Sequence, residues 1–236
     1  KWANAGSMKT DGVELGVTLN PVRSKEFNWL SKTTFYTSKA EITELKVDPY
    51  NTGGFATFLG AYRIEKGWDP HTIVGAELDE NGKHVKLGSE TPDFMMGFNN
   101  RVSFGDVSVV AHFDLKKGGQ NVNLQELIAD LGGTTYDFDD KGLDPEEKLN
   151  NGPYRLANLG SITAPYVQDA GYFRLSELSV MYDLPKSMLG SANVDRVQVG
   201  FTGRNLYQNT PYKGWNPDVS QFGNVGVGGS IDTGPY

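Results

Sequence analysis

Apolar and polar residues alternate with a period of two along several stretches of this chain. Gly12 to Asn20 places Val13, Leu15, Val17 and Leu19 on one side and Glu14, Gly16, Thr18 and Asn20 on the other. Phe94 to Phe104 sets Phe94, Met96, Phe98, Val102 and Phe104 against Met95, Gly97, Asn99, Arg101 and Ser103. Val107 to Leu115 does the same with Val107, Val109, Ala111, Phe113 and Leu115, and Val194 to Tyr207 with Val197, Val199, Phe201 and Tyr207. Such a period predicts β-strands whose two faces meet different surroundings. Residues 27–45 and 172–184 have strand composition but imperfect alternation, which predicts bulges or extensions within them. The pattern thus predicts an all-β chain of about six antiparallel strands, each long enough to cross a bilayer.

The connections alternate in length. Pro21 to Lys25, Phe104 to Asp106 and Pro185 to Asp195 are short; 47–92, 117–170 and 208–236 are long. Long connections without structure of their own are uncommon in compact soluble domains. Outer-membrane barrels alternate short periplasmic turns with long extracellular loops. On that logic Lys25 and Asp106 face the periplasm, and Asp137 and Trp215 face outside. About six spanning strands form an open sheet, whose unpaired edges hydrocarbon does not tolerate. The expected architecture is therefore part of a larger barrel, with residues 1–236 forming one piece of its wall.

Composition changes this picture little. No apolar run approaches the ~18 residues of a spanning helix, and a mean hydropathy of −0.44 suits either a soluble protein or a barrel wall with one polar face. Cysteine is absent, which excludes disulfides, thiolate metal sites and cysteine nucleophiles. The net charge of −7, with scattered Lys and Arg, argues against a nucleic-acid partner. Lys1-Trp2-Ala3-Asn4 reads as the middle of a protein, so the lack of a targeting segment says nothing of compartment.

The stretch from Gly171 to Val219 carries a more specific signal. GYFRLSELSVMYDLPKSM closes on Tyr182, Leu184 and Pro185; VDRVQVGFTGRNLYQNTPYKGWNPDV carries a Gly203-Arg204-Asn205-Leu206 corner and then a Tyr212-Lys213-Gly214-Trp215-Asn216-Pro217-Asp218 loop. In order and spacing these residues resemble the C-terminal strands of SusC/RagA-type TonB-dependent outer-membrane transporters. The resemblance implies the C-terminal portion of a barrel of about 22 strands, the size of plugged outer-membrane transporters, with its last strand beyond Tyr236. It also implies energised uptake of an oligosaccharide or peptide, a SusD-type lipoprotein lid, and a TonB–ExbB–ExbD partner acting on a plug upstream of this sequence. A passive porin, or a secreted soluble β-rich glycan-binding module, remains open from the strand pattern alone.

The candidate site residues follow from both readings. Tyr212, Lys213, Trp215, Asn216 and Asp218 form the expected outward loop, where, with Tyr236, aromatic side chains would meet substrate, a partner or each other. Glu14, Asn99, Arg101, His112 and Arg204 are the polar residues expected to face the lumen, with Asn100 and Arg174 as further polar strand positions. Trp29, Phe27, Tyr182 and Tyr207 sit near strand ends, as in interfacial girdles. No catalytic or cofactor motif appears. Asp137-x-Asp139-Asp140-x-Gly142 resembles the start of a calcium loop, but Lys141 and Lys148 occupy ligand positions, so it reads as a solvated acidic tip. His71, His84 and His112 lack zinc-site spacing.

Overall fold

The computed structural model describes residues 4–189, 194–218 and 231–232. Its elements are β1 (Gly6–Arg23), β2 (Phe27–Leu45), β3 (Tyr50–Thr52), β4 (Ala61–Ile64), β5 (Thr72–Val74), β6 (Gly88–Ser89), β7 (Pro92–Phe104), β8 (Val107–Gly118), β9 (Gln120–Asn123), α1 (Leu124–Leu131), α2 (Asn151–Ala157), β10 (Val167–Asp169), β11 (Tyr172–Asp183), α3 (Lys186–Leu189), β12 (Gln198–Asn209) and β13 (Ile231–Asp232). A 6-stranded sheet in the order β1-β2-β7-β8-β11-β12 is the frame of the molecule. All of its pairings are antiparallel and between neighbours.

The register turns the sequence alternation into two unlike faces, because directly opposed residues point the same way. Leu15 lines up through Phe35, Met96 and Leu115 with Phe173. One row below, Val17, Thr33, Phe98, Phe113, Leu175 and Tyr207 form a line across the whole sheet. Trp29, Val102, Val109, Val180 and Phe201 form another. Stacked rings tie these rows together: Phe35 on Phe94 at 5.7 Å and Phe113 on Phe173 at 5.6 Å. Along β11 the apolar band runs from Phe173 to Tyr182, which at ~3.4 Å per residue and ~40° of tilt is roughly 23 Å in height. That matches the hydrocarbon-facing band of an outer-membrane barrel, about 25 Å. The band faces open solvent in the isolated chain, with Phe201 77% exposed; Phe98 and Phe113, partly covered by neighbours, are half-buried.

The irregular stretches have physical causes. β1 and β2 pair along almost their full length, but β2 pairs with β7 only from Phe27 to Tyr36. The remaining half of β2 is a two-stranded ribbon continuing past the sheet. Register shifts fall between Leu19 and Val22 and between Ser7 and Met8, while β11 bulges between Leu175 and Glu177. Asn100, a polar position within β7, lies in the apolar band and not on the polar face. Trp29 Nε1 donates to its side-chain oxygen at 3.1 Å, which satisfies the amide there.

The short connections cluster at one end, where Gly105 N donates to Glu26 O and Asp183 N to Asp106 O. The long connections leave the other end, and their described residues are folded rather than free loops. The first builds a 4-stranded sheet β3-β4-β5-β6; the second and third share a 3-stranded sheet β10-β9-β13 with α1 and α2 beside it. Their common core is Tyr62, Ile73, Val122, Leu124, Leu127 and Tyr166. Gly60, at φ +96°, lies so close to Val122 that a Cβ would stand 2.7 Å from its methyl, so only glycine fits the joint between first and second connections. Thr163 bolts them again, donating to Phe58 O and accepting from Ala76 N, while Glu77 Oε1 accepts from the Thr163 and Ala164 amides at 2.7 Å.

Candidate functional site

Two polar regions are candidates. The first is the face of the sheet opposite the apolar band. Thr18, Lys32, Asn99, His112, Glu177 and Arg204 stand in one row across all six strands. Three residues expected on this face, Asn99, His112 and Arg204, are therefore neighbours in a single line. Arg101 stands one pair away, between Leu30 and Val110, and Glu14 lies opposite Tyr36. Arg204 reaches the Glu177 carboxylate at 3.5 Å, His112 Nε2 lies 3.2 Å from Asp114, and Ser176 donates to the same Asp114.

The second region is a cleft of about 360 Å³ in the folded connections, between α1 with residues 134–136 and the segment 213–215. α1 is set in place by its cap: Asn123 Oδ1 accepts from Glu126 N at 3.3 Å, which satisfies a free amide of the first turn. This seats Glu126 at the floor of the cleft. An adjoining 290 Å³ hollow shares Glu126, Tyr136 and Lys213 and adds Asp137 and Arg155.

Beneath the floor lies a buried ionic knot. Arg155, from α2, makes a fork–fork pair with Asp130 (both 2.7 Å) and another with Asp137 (3.0 and 2.8 Å), and lies 3.7 Å from Glu126. Tyr166 Oη and Thr135 Oγ1 also donate to Asp130, which is almost fully buried. Asp137 is thus a structural partner of Arg155 and of Asn151, which donates to it at 3.1 Å, while Asp139 and Asp140 of the same acidic stretch are exposed. Burial works against the Asp137 carboxylate, but the Arg155 hydrogen bonds hold its pKa below the usual value. Burial likewise disfavours the charged form of Arg155, and the carboxylates more than offset this. Glu126 has the weakest hold on Arg155. Its burial outweighs Arg155, and Asp137 and Asp130 push the same way, so its pKa rises to about 7. Its closest partner is the side-chain amide of Gln168.

The Tyr212–Asp218 loop divides between two jobs. Lys213 and Trp215 line the cleft; Trp215 is 73% exposed, and Lys213 Nζ sits 5.2 Å above the Tyr136 ring. Tyr212 is buried. Asn216 accepts from Arg174 at 3.1 Å, and Asp218 pairs with Arg174 at 3.1 Å and Lys116 at 3.9 Å. Asn216 and Asp218 tie the loop to the top of β8 and β11 through Lys116 and Arg174, with Asn121 Nδ2 donating to Pro217 O at 2.6 Å. Tyr236 lies outside the described residues, as does the glycine-rich 223–229. Glu126, Tyr136 and Arg155 had not been singled out from the sequence. The Asn123-x-x-Glu126 spacing, a capping-box pattern, is the signal that marks α1 and the place of Glu126.

An antiparallel sheet with one apolar face of lipid width, one polar face and its long connections at one end is a piece of transmembrane β-barrel wall. Known proteins agree. The chain is 26% identical to TonB-dependent receptor P3 of Formosa agariphila over 282 aligned positions, covering 99% of this chain and 28% of that protein. It is also 26% identical to TonB-dependent receptor P26 of the same organism, over 95% of the chain and 27% of the relative. No family model matches. Among solved structures it superimposes on the RagAB peptide importer in its "closed-closed" state with a TM-score of 0.69 at 22% identity, and in its "open-open" state with 0.60 at 20%. Those matches cover 97% and 96% of this chain and 28% and 27% of the solved ones. The chain is similar in sequence to TonB-dependent receptors, has the fold of the SusC/RagA type, and spans little more than a quarter of the length of the relatives it matches.

Proposed function

We propose that this chain forms part of the wall and outer rim of an importer that takes a large nutrient, an oligosaccharide or a peptide, across a bacterial outer membrane at the expense of TonB-delivered energy. The apolar band supports the membrane setting, and its coupling to folded connections at one end supports an outer vestibule. Since the chain spans 28% of its curated relative, the plug and the segment that contacts TonB–ExbB–ExbD belong to the rest of the polypeptide in this reading. A SusD-type lipoprotein would sit over the rim; the similarity to a peptide importer of two components favours such a lid. Glu14, Asn99, Arg101, His112 and Arg204 face the lumen, against the plug or the passing substrate. Lys213 and Trp215 meet substrate or lid at the mouth, with Tyr212, Asn216 and Asp218 holding that loop in position. No bond is made or broken, so the protein is a transporter and not an enzyme.

The test is uptake by cells making the complete receptor, with and without TonB. Labelled oligosaccharides and peptides should enter only when TonB is present. Entry that persists without TonB would identify a passive pore instead. Release of the chain from membranes without detergent would favour the soluble glycan-binding module.

A further inference from the structure

The outer cleft has a composition that selects for one kind of chemical group. Among its described lining residues only two are charged, Glu126 at the floor and Lys213 at the rim. The knot below sets three carboxylates, Asp130, Asp137 and Glu126, against the single cation Arg155. Arg155 makes its close contacts with Asp130 and Asp137 and stands 3.7 Å from Glu126, which lines the cleft with the neutral amide of Gln168 as its nearest partner. The same cleft is lined by two aromatic side chains, Trp215 and Tyr136, 73% and 66% exposed. A buried carboxylate beside aromatic faces is the arrangement that holds an ammonium group: the rings attract the cation and the carboxylate neutralises it.

A second observation points the same way. An ammonium already occupies the mouth: Lys213 Nζ lies over Tyr136, and it belongs to the chain's own loop. Lys213 forms no ion pair with Glu126 among the described residues, so its charge is held at the ring and short of the floor. A ligand amine entering from outside would take the deeper position, against Glu126, and Lys213 would move aside into solvent at small cost, since exposed lysine is strongly hydrated and flexible. Guanidinium groups fit less well, because a planar fork needs paired acceptors and the second carboxylate here is already engaged.

We infer that the cleft between α1 and the 213–215 segment receives a primary ammonium group of the transported substrate, seated on Glu126 between Trp215 and Tyr136 in place of Lys213. This inference deepens the importer reading and rests on it for the word transported; the binding itself does not depend on transport. The amine has two natural sources, a lysine or N-terminus of a peptide, or an unacetylated amino sugar of an oligosaccharide.

The experiment uses the complete receptor purified in detergent and measures equilibrium binding of four probes. These are a tetrapeptide with one lysine and a blocked N-terminus, its ε-acetylated form, a glucosamine trimer, and its N-acetylated form. At least one amine probe should bind tenfold or more tightly than its acetylated twin, and which pair discriminates identifies the source. Glu126→Gln should weaken that amine probe at least tenfold more than the twin. Lys213→Met, on the rim where folding is not at stake, should strengthen the amine probe several-fold, because the internal competitor is gone. Equal binding of amine and acetylated probes, equal losses in Glu126→Gln, or a weaker amine probe in Lys213→Met would each overturn the inference. TonB-dependent uptake is scored separately in cells. Uptake without discrimination leaves the importer standing and removes the ammonium site; amine-selective binding without uptake does the reverse.

Discussion

At the scale of single residues the most consequential side chain is Arg155, which reached no candidate list from sequence. An arginine eighteen positions from one carboxylate and twenty-five from another has no local signature; only the packing of α1 against α2 brings them together. Replacing it with Met would strand Asp130 and Asp137 as buried charges. Losing one partner of such a pair costs about 3–5 kcal/mol. We expect Arg155→Met to make the outer connections of the complete receptor sensitive to protease under conditions where the native protein resists. Glu126 makes a prediction of opposite sign. Its folded pKa is raised, from 4.5 to about 7, so its contribution to stability is full below pH 4.5 and is lost as pH rises through 7. Asp137 works the other way, its contribution being lost as acid protonates it. The groups facing Glu126 are Arg155, Asp130, Asp137, Gln168 and Tyr136. Glu126→Gln should therefore flatten the stability profile between pH 5 and 8 and raise stability at pH 8, read from thermal unfolding of the outer connections. What sequence did show at this scale was the exposed pair Lys213 and Trp215. It did not separate them from Tyr212, Asn216 and Asp218, because burial of one loop residue beside exposure of the next is set by Arg174, Lys116 and Asn121 far away in the chain.

At the scale of elements the strands were legible because lipid and water impose opposite demands on alternate residues, and β1, β7 and β8 obey them with few exceptions. Val109 and Ser108 make the contrast measurable. Val109→Arg puts a charge in the apolar band, one row inside its short-turn edge, and should destabilise the complete barrel by about 2 kcal/mol, the low end of the cost at the midplane of other barrels. Ser108→Arg, one residue away and facing the polar side, should cost about 1 kcal/mol, the worth of its hydrogen bond with Ser103. Urea titration of the folded barrel in lipid distinguishes them; a larger loss for Ser108→Arg than for Val109→Arg would mean that the two faces are assigned the wrong way round. Bulges were sensed in β2 and β11 but not located, since one extra residue looks like noise in a period-two pattern until its partner strand supplies the count. The small strands of the long connections were not legible at all. β3, β5, β6 and β10 are two to three residues long, below the length at which any period can be read.

At the scale of the whole molecule the sidedness of the connections is the property that the membrane setting turns on. Trypsin added to intact cells making the complete receptor should cut at Lys141 or Lys148, in the exposed part of the second connection, and leave Lys25 in the first short turn untouched. Cuts at both in sealed cells would refute the orientation. The joint between the long connections carries one more consequence, and it concerns the order of events in assembly. Thr163 bonds to Phe58 across 105 positions, and Asn121 to Pro217 across 96. Such distant contacts form late, because the intervening chain must first be brought into register. Here the intervening chain includes β7, β8 and β11, which themselves have to enter the membrane. In the proposed outer-membrane orientation the outer rim is thus the last part of this chain to fold: each long connection would be exported unfolded and wait for the next, and a strand that inserts slowly would leave its predecessors' loops open to degradation on the cell surface.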